Sequence, residues 1–318
     1  MLMKLFISRP LPGPVLEHAK AGFDVTIRTE TTAMTVPEMI TSLTDYDVVL
    51  PTLGDLYSAD VFAQAGDIRA KLLANFGVGY NHIDVDAAKA HGLVVSNTPG
   101  AVTDATADTA MTLILMTARR AGEGERMLRE GRWAGWHPTQ MLGLHVTGKT
   151  VGIIGMGRIG QAIARRCHFG FGMKVVFFNR SQKDVDFPAT QLDSIQAVAA
   201  CCDIMVIATP GGADTTHLIN ADTFNAMQSH AFLINIARGE IVDEAALITA
   251  LTSGLIAGAG LDVYELEPKV PDALIQMENV TLLPHLGTAT HEVRTDMGML
   301  ALDNVERFAR GEGLVTPV

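Results

Sequence analysis

The chain is poor in cysteine, in charge and in long apolar runs. Only three of its 318 residues are cysteine, Cys167, Cys201 and Cys202, and the last two are neighbours. An odd count, with no CxxC pair and no Cys/His ligand spacing, argues against a disulfide framework and a zinc site. No metal is expected, and reduced thiols in a cytoplasmic protein are. No apolar run approaches the ~20 residues of a membrane helix. The apolar start reaches Pro10 and Pro12 too soon for a signal peptide and reads as a first buried strand. Charged residues make up 19%, with a net charge of −11. Such a chain repels phosphate backbones and anionic membrane surfaces, so neither nucleic acid nor a membrane is an expected partner. Small anionic ligands remain open, because a local cationic pocket overrides the global field.

What is present is aliphatic: 48% of residues are hydrophobic, and the length suits two domains. Short apolar runs alternate with helix-length segments, the βαβ pattern of a parallel sheet. Strands are expected at 4–8, 24–28, 48–50, 72–75 and 94–97, then at 150–154, 174–178, 204–208, 232–236, 258–263 and 281–283. The two sets echo each other, and in both a strand ends in a glycine-bearing loop. Two similar doubly wound α/β domains are one reading, and chance likeness between buried strands is the other. A single long helix is expected over 104–129, apolar on more than one face. Trp133 and Trp136 follow in a glycine-rich loop, and a helix over 291–310 ends the chain.

The clearest local signal is Gly155-Met156-Gly157-Arg158-Ile159-Gly160, which lies between the strand 150–154 and a helix beginning near Gln161. In that context G-x-G-x-x-G suits a dinucleotide. The first glycine makes the turn, the second admits the pyrophosphate, and the third lets the helix pack on the sheet. Helix N-terminal N–H groups complete the anion site. An acid normally ends the next strand to bind the ribose 2′-OH of NAD. Here the strand 174–178 ends in Asn179-Arg180-Ser181. A cation and two hydrogen-bonding side chains suit a 2′-phosphate, so NADP(H) is the expected cofactor, with NAD(H) possible if Arg180 is only a solvated loop charge.

Four further segments carry a resemblance over essentially the whole chain. They are Asn75-Phe76-Gly77-Val78-Gly79-Tyr80-Asn81-His82-Ile83-Asp84, Asn235-Ile236-Ala237-Arg238-Gly239-Glu240-Ile241-Val242-Asp243, Gly260-Leu261-Asp262-Val263-Tyr264-Glu265-Leu266-Glu267-Pro268 and Leu283-Pro284-His285-Leu286-Gly287-Thr288-Ala289-Thr290. With the glycine turn, they resemble the D-2-hydroxyacid dehydrogenase family. Asn97-Thr98-Pro99, Thr103-Asp104-Ala105-Thr106-Ala107-Asp108 and the Trp133/Trp136 loop most resemble its glyoxylate/hydroxypyruvate reductase branch. The resemblance implies two Rossmann- and flavodoxin-like domains. A split substrate domain of residues 1–98 and 287–318 would accept a cofactor domain of 99–286, with the site in a cleft that closes by a hinge. It further implies the reduction of small 2-keto acids, and the long helix with the tryptophan loop suggests a homodimer.

The same resemblance implies a catalytic set of Arg238, Glu267 and His285. A 2-keto acid reductase needs a hydride donor and a proton for the new hydroxyl. Imidazole titrates near neutral pH and suits the proton. A paired carboxylate favours imidazolium, and a guanidinium polarises the carbonyl. Gly77, Val78 and Gly79 match the substrate loop, whose N–H groups form a nest for a carboxylate; a plain tight turn is the alternative. Thr106, Thr209, Pro210, Ile236, Ala237, Asp262 and Gly287 match cofactor contacts. Trp136 is expected at a neighbouring subunit's substrate, or else on an exposed or dimer-packing surface. The segment 269–276 departs from the family's His-Pro-Leu pattern. An NAD-preferring dehydrogenase of another substrate and a nucleotide-sensing corepressor are the competing readings. Formate dehydrogenase chemistry is disfavoured, since those relatives carry glutamine where Glu267 stands.

Overall fold

The computed structural model describes residues 2–318; Met1, first in the apolar start, lies outside them. The chain divides into two compact units, Met1–Val102 with Ala289–Val318, and Thr103–Thr288.

The first unit holds five parallel strands, β1 (Lys4–Ile7), β2 (Asp24–Ile27), β3 (Val48–Leu50), β4 (Leu72–Ala74) and β5 (Val94–Ser96), in the order β2-β1-β3-β4-β5. Period-two alternation gives the inner strands β1, β3 and β4 two buried faces, whereas edge strand β2 exposes Asp24 and Thr26. Leu5, Ile7, Val48, Leu50 and Leu72 face one core together with Ala301, Leu302 and Val305 of the terminal helix His291–Ala309. Phe6, Val49 and Leu73 face the opposite core. The terminal helix therefore returns to the first unit. It comes close because residue 298 is glycine: a Cβ there would lie 2.6 Å from Val15.

The second unit holds seven parallel strands. These are β6 (Thr150–Ile154), β7 (Lys174–Phe178), β8 (Thr190–Gln191), β9 (Ile204–Ile207), β10 (Phe232–Asn235), β11 (Gly258–Leu261) and β12 (Val280–Leu282), in the order β12-β11-β10-β9-β6-β7-β8. Here too the faces alternate: Met205, Ile207 and Leu233 pack on one side, Ile204, Val206 and Ile234 on the other. Strand order reverses between β6 and β9, and the carboxyl ends there are where open α/β sheets bind ligands.

Two local expectations change. Strand β8 is polar and two residues long, too short to show a period. The long helix is two: Thr103–Ala118 and Ala121–Arg129. Between them Arg120 takes a left-handed φ of 53°. The Ala118 carbonyl accepts the N–H of Leu144, 2.8 Å away, and Arg120 turns to pair with Glu123. A distant loop thus takes over the carbonyl that ends the helix, which an apolar pattern does not reveal. No helix among the described residues is long and apolar enough to cross a membrane.

Candidate active site

The glycine turn leaves β6 with Gly155 at φ 98° and enters the helix Arg158–Arg165 at Gly157. Its three glycines answer different needs. A Cβ on Gly155 would lie 2.8 Å from the Ala208 backbone, and one on Gly160 would lie 2.1 Å from the Gly155 carbonyl oxygen. A Cβ on Gly157 would meet nothing within 4 Å. The fold demands the outer two glycines, whereas the middle one borders open space. No side chain caps the helix at Gly157, so its first N–H groups are left for an anion. This cradle fits a dinucleotide pyrophosphate.

At the end of β7, the Asn179 amide is engaged with the chain. Its Oδ1 accepts the Met156 N–H at 3.2 Å, and its Nδ2 donates to the Ser181 carbonyl and hydroxyl. Arg180 is 86% exposed and lies 3.9 Å from Asp214. Thr209 and Pro210 follow β9, and the Pro210 carbonyl accepts the Thr215 hydroxyl.

Beyond β10, the Asn235 side chain accepts from Ala237 N–H and donates to the Arg238 carbonyl, shaping the loop that presents Arg238. Ile236 is buried beneath it. The Arg238 guanidinium donates to the Ala237 carbonyl at 2.6 Å. Burial lowers its pKa from the ordinary value, against the opposing charges of Glu240 and Glu267. Gly239 rests directly on the next loop: a Cβ would fall 1.8 Å from the Tyr264 carbonyl carbon.

His285 Nδ1 lies 2.8 Å from Glu267 Oε2, and Glu267 Oε1 accepts the Tyr264 N–H. Burial alone would raise the Glu267 carboxyl. The hydrogen bond and charge of His285 outweigh it, helped by the Tyr264 N–H and Arg238, and hold its pKa below the ordinary value. His285 has a left-handed φ of 55°. Buried Asp262 holds the loop after it, accepting Leu286 N–H at 2.6 Å and Gly287 N–H at 2.9 Å. Burial raises the Asp262 pKa against those two bonds and the His285 charge. The Thr106 hydroxyl donates to the Gly287 carbonyl.

In the first unit the loop after β4 has its carbonyls tied back. Gly77 O accepts from Asn75 Nδ2 and Thr98 N, Val78 O from Asn97 Nδ2, and Gly79 O from Asn75 Nδ2. In a trans peptide the N–H points opposite its carbonyl, so the N–H groups of Val78 and Gly79 face away from these anchors. Those two N–H groups are left pointing away from the side chains that hold the loop.

A model of the D-isomer specific 2-hydroxyacid dehydrogenase NAD-binding domain matches residues 111–287. A glyoxylate reductase of Thermococcus kodakarensis is 41% identical over 98% of this chain and 95% of its own. The chain belongs to the D-isomer specific 2-hydroxyacid dehydrogenase family. A glycerate dehydrogenase of Hyphomicrobium methylovorum is 35% identical over 97% of this chain and 96% of its own. The solved NADPH-dependent glyoxylate/hydroxypyruvate reductase of Sinorhizobium meliloti, in complex with NADP and malonate, superposes with a TM-score of 0.87. It is 36% identical and covers 100% of this chain and 97% of its own. As a member of this family, and of its glyoxylate reductase branch, the protein is an NAD(P)-dependent dehydrogenase.

Within this dehydrogenase the structure brings Arg238, Glu267, His285 and Asp262 together on the loops after β10, β11 and β12. Gly77, Val78 and Gly79 belong to the other unit. Trp136 is 79% exposed on the segment following Arg129. Sequence reasoning gave no role to Asn75 or Asn97, although both stood in segments it used. Two amides flanking a glycine loop were the available signal.

Proposed function

We propose that the protein reduces small 2-keto acids, glyoxylate and hydroxypyruvate foremost, with NADPH preferred, and that His285 is the proton donor. The 2.8 Å His285–Glu267 hydrogen bond carries the reading. When bound, the dihydronicotinamide supplies the hydride that reduces the keto carbon. His285 gives its Nε2 proton to the keto oxygen, which becomes the hydroxyl. Glu267, held ionised at Nδ1, favours the imidazolium before transfer and fixes the ring. Arg238 binds the keto oxygen and carboxylate and polarises the carbonyl. From the family resemblance we also assign carboxylate binding to the N–H groups of the loop 77–79. The turn 155–160 with Arg158 and Ile159, and residues Thr106, Thr209, Pro210, Ile236, Ala237, Asp262 and Gly287, hold the cofactor. Arg180 and Ser181 bind its 2′-phosphate.

Support for the substrate comes from the whole-length likeness to glyoxylate reductases, and support for NADPH from the absence of an acid at 179–181. We further read the exposed apolar side chains Leu128, Trp133, Trp136 and Leu142 as a surface covered by a second copy, and Trp136 as reaching that copy's substrate. The free cysteines and acidic charge suit a cytoplasmic homodimer without nucleic-acid partners. Steady-state kinetics with a 2-keto acid panel and both cofactors test the reading. Turnover of glyoxylate or hydroxypyruvate with a higher kcat/KM for NADPH is expected, and no turnover of any 2-keto acid would overturn it. Sedimentation at micromolar protein tests the dimer.

A further inference from the structure

The turn 179–181 is not held by the Asn179 amide alone. Gln191, on the short edge strand β8, reaches across to it with all of its amide. Its Nε2 donates to the Asn179 carbonyl at 3.1 Å and the Ser181 carbonyl at 3.2 Å, and its Oε1 accepts the Lys183 N–H at 3.0 Å. Strand β8 puts it there: Gln191 pairs in register with Phe177 of β7, and the Leu192 N–H bonds the Phe177 carbonyl. One side chain therefore spans both ends of the turn. Remove it, and the Asn179 carbonyl and the Lys183 N–H lose these bonds together, while the Ser181 carbonyl keeps the Asn179 amide as its side-chain tie.

A second residue acts on the same turn with the opposite sign. Asp214 lies in the short 3-10 turn Ala213–Thr215, within the loop that follows β9. Its carboxylate is 3.9 Å from Arg180 Nη1. Both side chains are almost fully exposed, so the pair adds little to stability. Its effect on a ligand differs. A 2′-phosphate carries about −2 at neutral pH. It would have to share Arg180 with an anion already beside it, and it would be repelled by that anion.

We propose that Gln191 and Asp214, both outside the glycine motif and the turn itself, set the discrimination between NADPH and NADH. Gln191 does so by positioning the turn, and Asp214 by competing with the 2′-phosphate for Arg180. The inference rests on the NADPH preference proposed above. Neither residue touches the reacting atoms, so both act on affinity and leave the chemical step alone.

The test is equilibrium binding to the full-length protein by calorimetry. The probes are NADPH, NADH, adenosine 2′,5′-bisphosphate and 5′-AMP, and the half-cofactors isolate the phosphate from the nicotinamide. Gln191→Ala is expected to weaken NADPH and the bisphosphate about three- to tenfold, the loss of one to two hydrogen-bonded anchors, with NADH and AMP within twofold. Asp214→Asn is expected to tighten NADPH and the bisphosphate about two- to fivefold at low salt, an effect that fades as salt screens exposed charges. Saturated kcat should stay constant in both variants. Gln191→Glu, which keeps the acceptor for Lys183, should weaken the phosphate-bearing probes more than Gln191→Ala does. Melting temperatures of all variants separate loss of the brace from loss of the fold. Equal changes for phosphorylated and unphosphorylated probes, or an unchanged NADPH to NADH ratio, would overturn the proposal. Arg180→Ala separates its failure from that of the underlying reading. If Arg180→Ala leaves the ratio unchanged, the reading of Arg180 as the 2′-phosphate partner falls. If Arg180→Ala lowers the ratio while the Gln191 and Asp214 variants do not, only the present inference falls.

Discussion

The two ends of the proposed cofactor site are built in opposite ways. Around the proposed catalytic set, backbone and side chain lock each other: Glu267 is held by Tyr264 and His285, Asp262 clamps Leu286 and Gly287, and Gly239 lies against Tyr264. Around the proposed 2′-phosphate site, Arg180 stands in solvent with one distant partner. The difference follows from what each end must do. Proton transfer needs reacting atoms fixed to within a fraction of an ångström. An exposed phosphate needs only a nearby cation in reach. The catalytic end should therefore fail abruptly under substitution and the phosphate end by degrees.

The largest expected effect breaks the catalytic end. His285→Gln should lower kcat about 10²- to 10⁴-fold, the usual share of a general acid. Cofactor Kd should stay within a few fold, as single-turnover kinetics and calorimetry will show. Next come the glycines of the turn, where fold and ligand make separate demands. Gly160→Ala forces a Cβ onto the Gly155 carbonyl and should cost about 1–3 kcal/mol in urea unfolding. Gly157→Ala meets no protein atom and should leave stability within about 0.5 kcal/mol. It should still weaken NADPH and NADH alike. Unchanged affinity in Gly157→Ala would detach the cofactor from this turn.

At the exposed end, Arg180→Ala should weaken NADPH about tenfold, the loss of one charge-assisted hydrogen bond in solvent, with NADH little changed. The smallest effect is a pH dependence at the catalytic end. The Glu267 pKa is depressed in the folded state by His285, so its stabilisation is fully present above the unfolded carboxylate value. It is lost as pH falls from about 4.3 through the lower folded value. Acid unfolding of Glu267→Gln should lack that component, so the two stability curves should converge as pH falls from about 5 to below 4. Curves that stay parallel through that range would mean that Glu267 is not held ionised by its partner.

Legibility in the sequence followed the range of the interaction. Buried strands such as 150–154 and 204–207 were plain, because a parallel strand covered on both faces is continuously apolar. Strand β8 escaped, since a two-residue polar edge has no period. The break at Arg120 escaped too, because its cause is a hydrogen bond to Leu144, more than twenty residues on. At the site, Arg238, Glu267 and His285 were named through their motifs. What braces them was not.

By itself the sequence determined two parallel-sheet α/β units, a dinucleotide turn without the acid expected for NAD, and the residues of the proposed hydride-and-proton chemistry. The first two are local patterns of residue type and spacing, and the third came through the family resemblance. Tertiary structure alone decided that Asn179 braces the turn with its own amide, that Gln191 on an unseen strand spans it, and that Asp214 stands beside Arg180. Apart from the local Asn179–Ser181 bonds, these pairs lie 10 to 34 positions apart and meet because strands distant in the chain end at the carboxyl edge of one sheet, a closeness that no local pattern encodes.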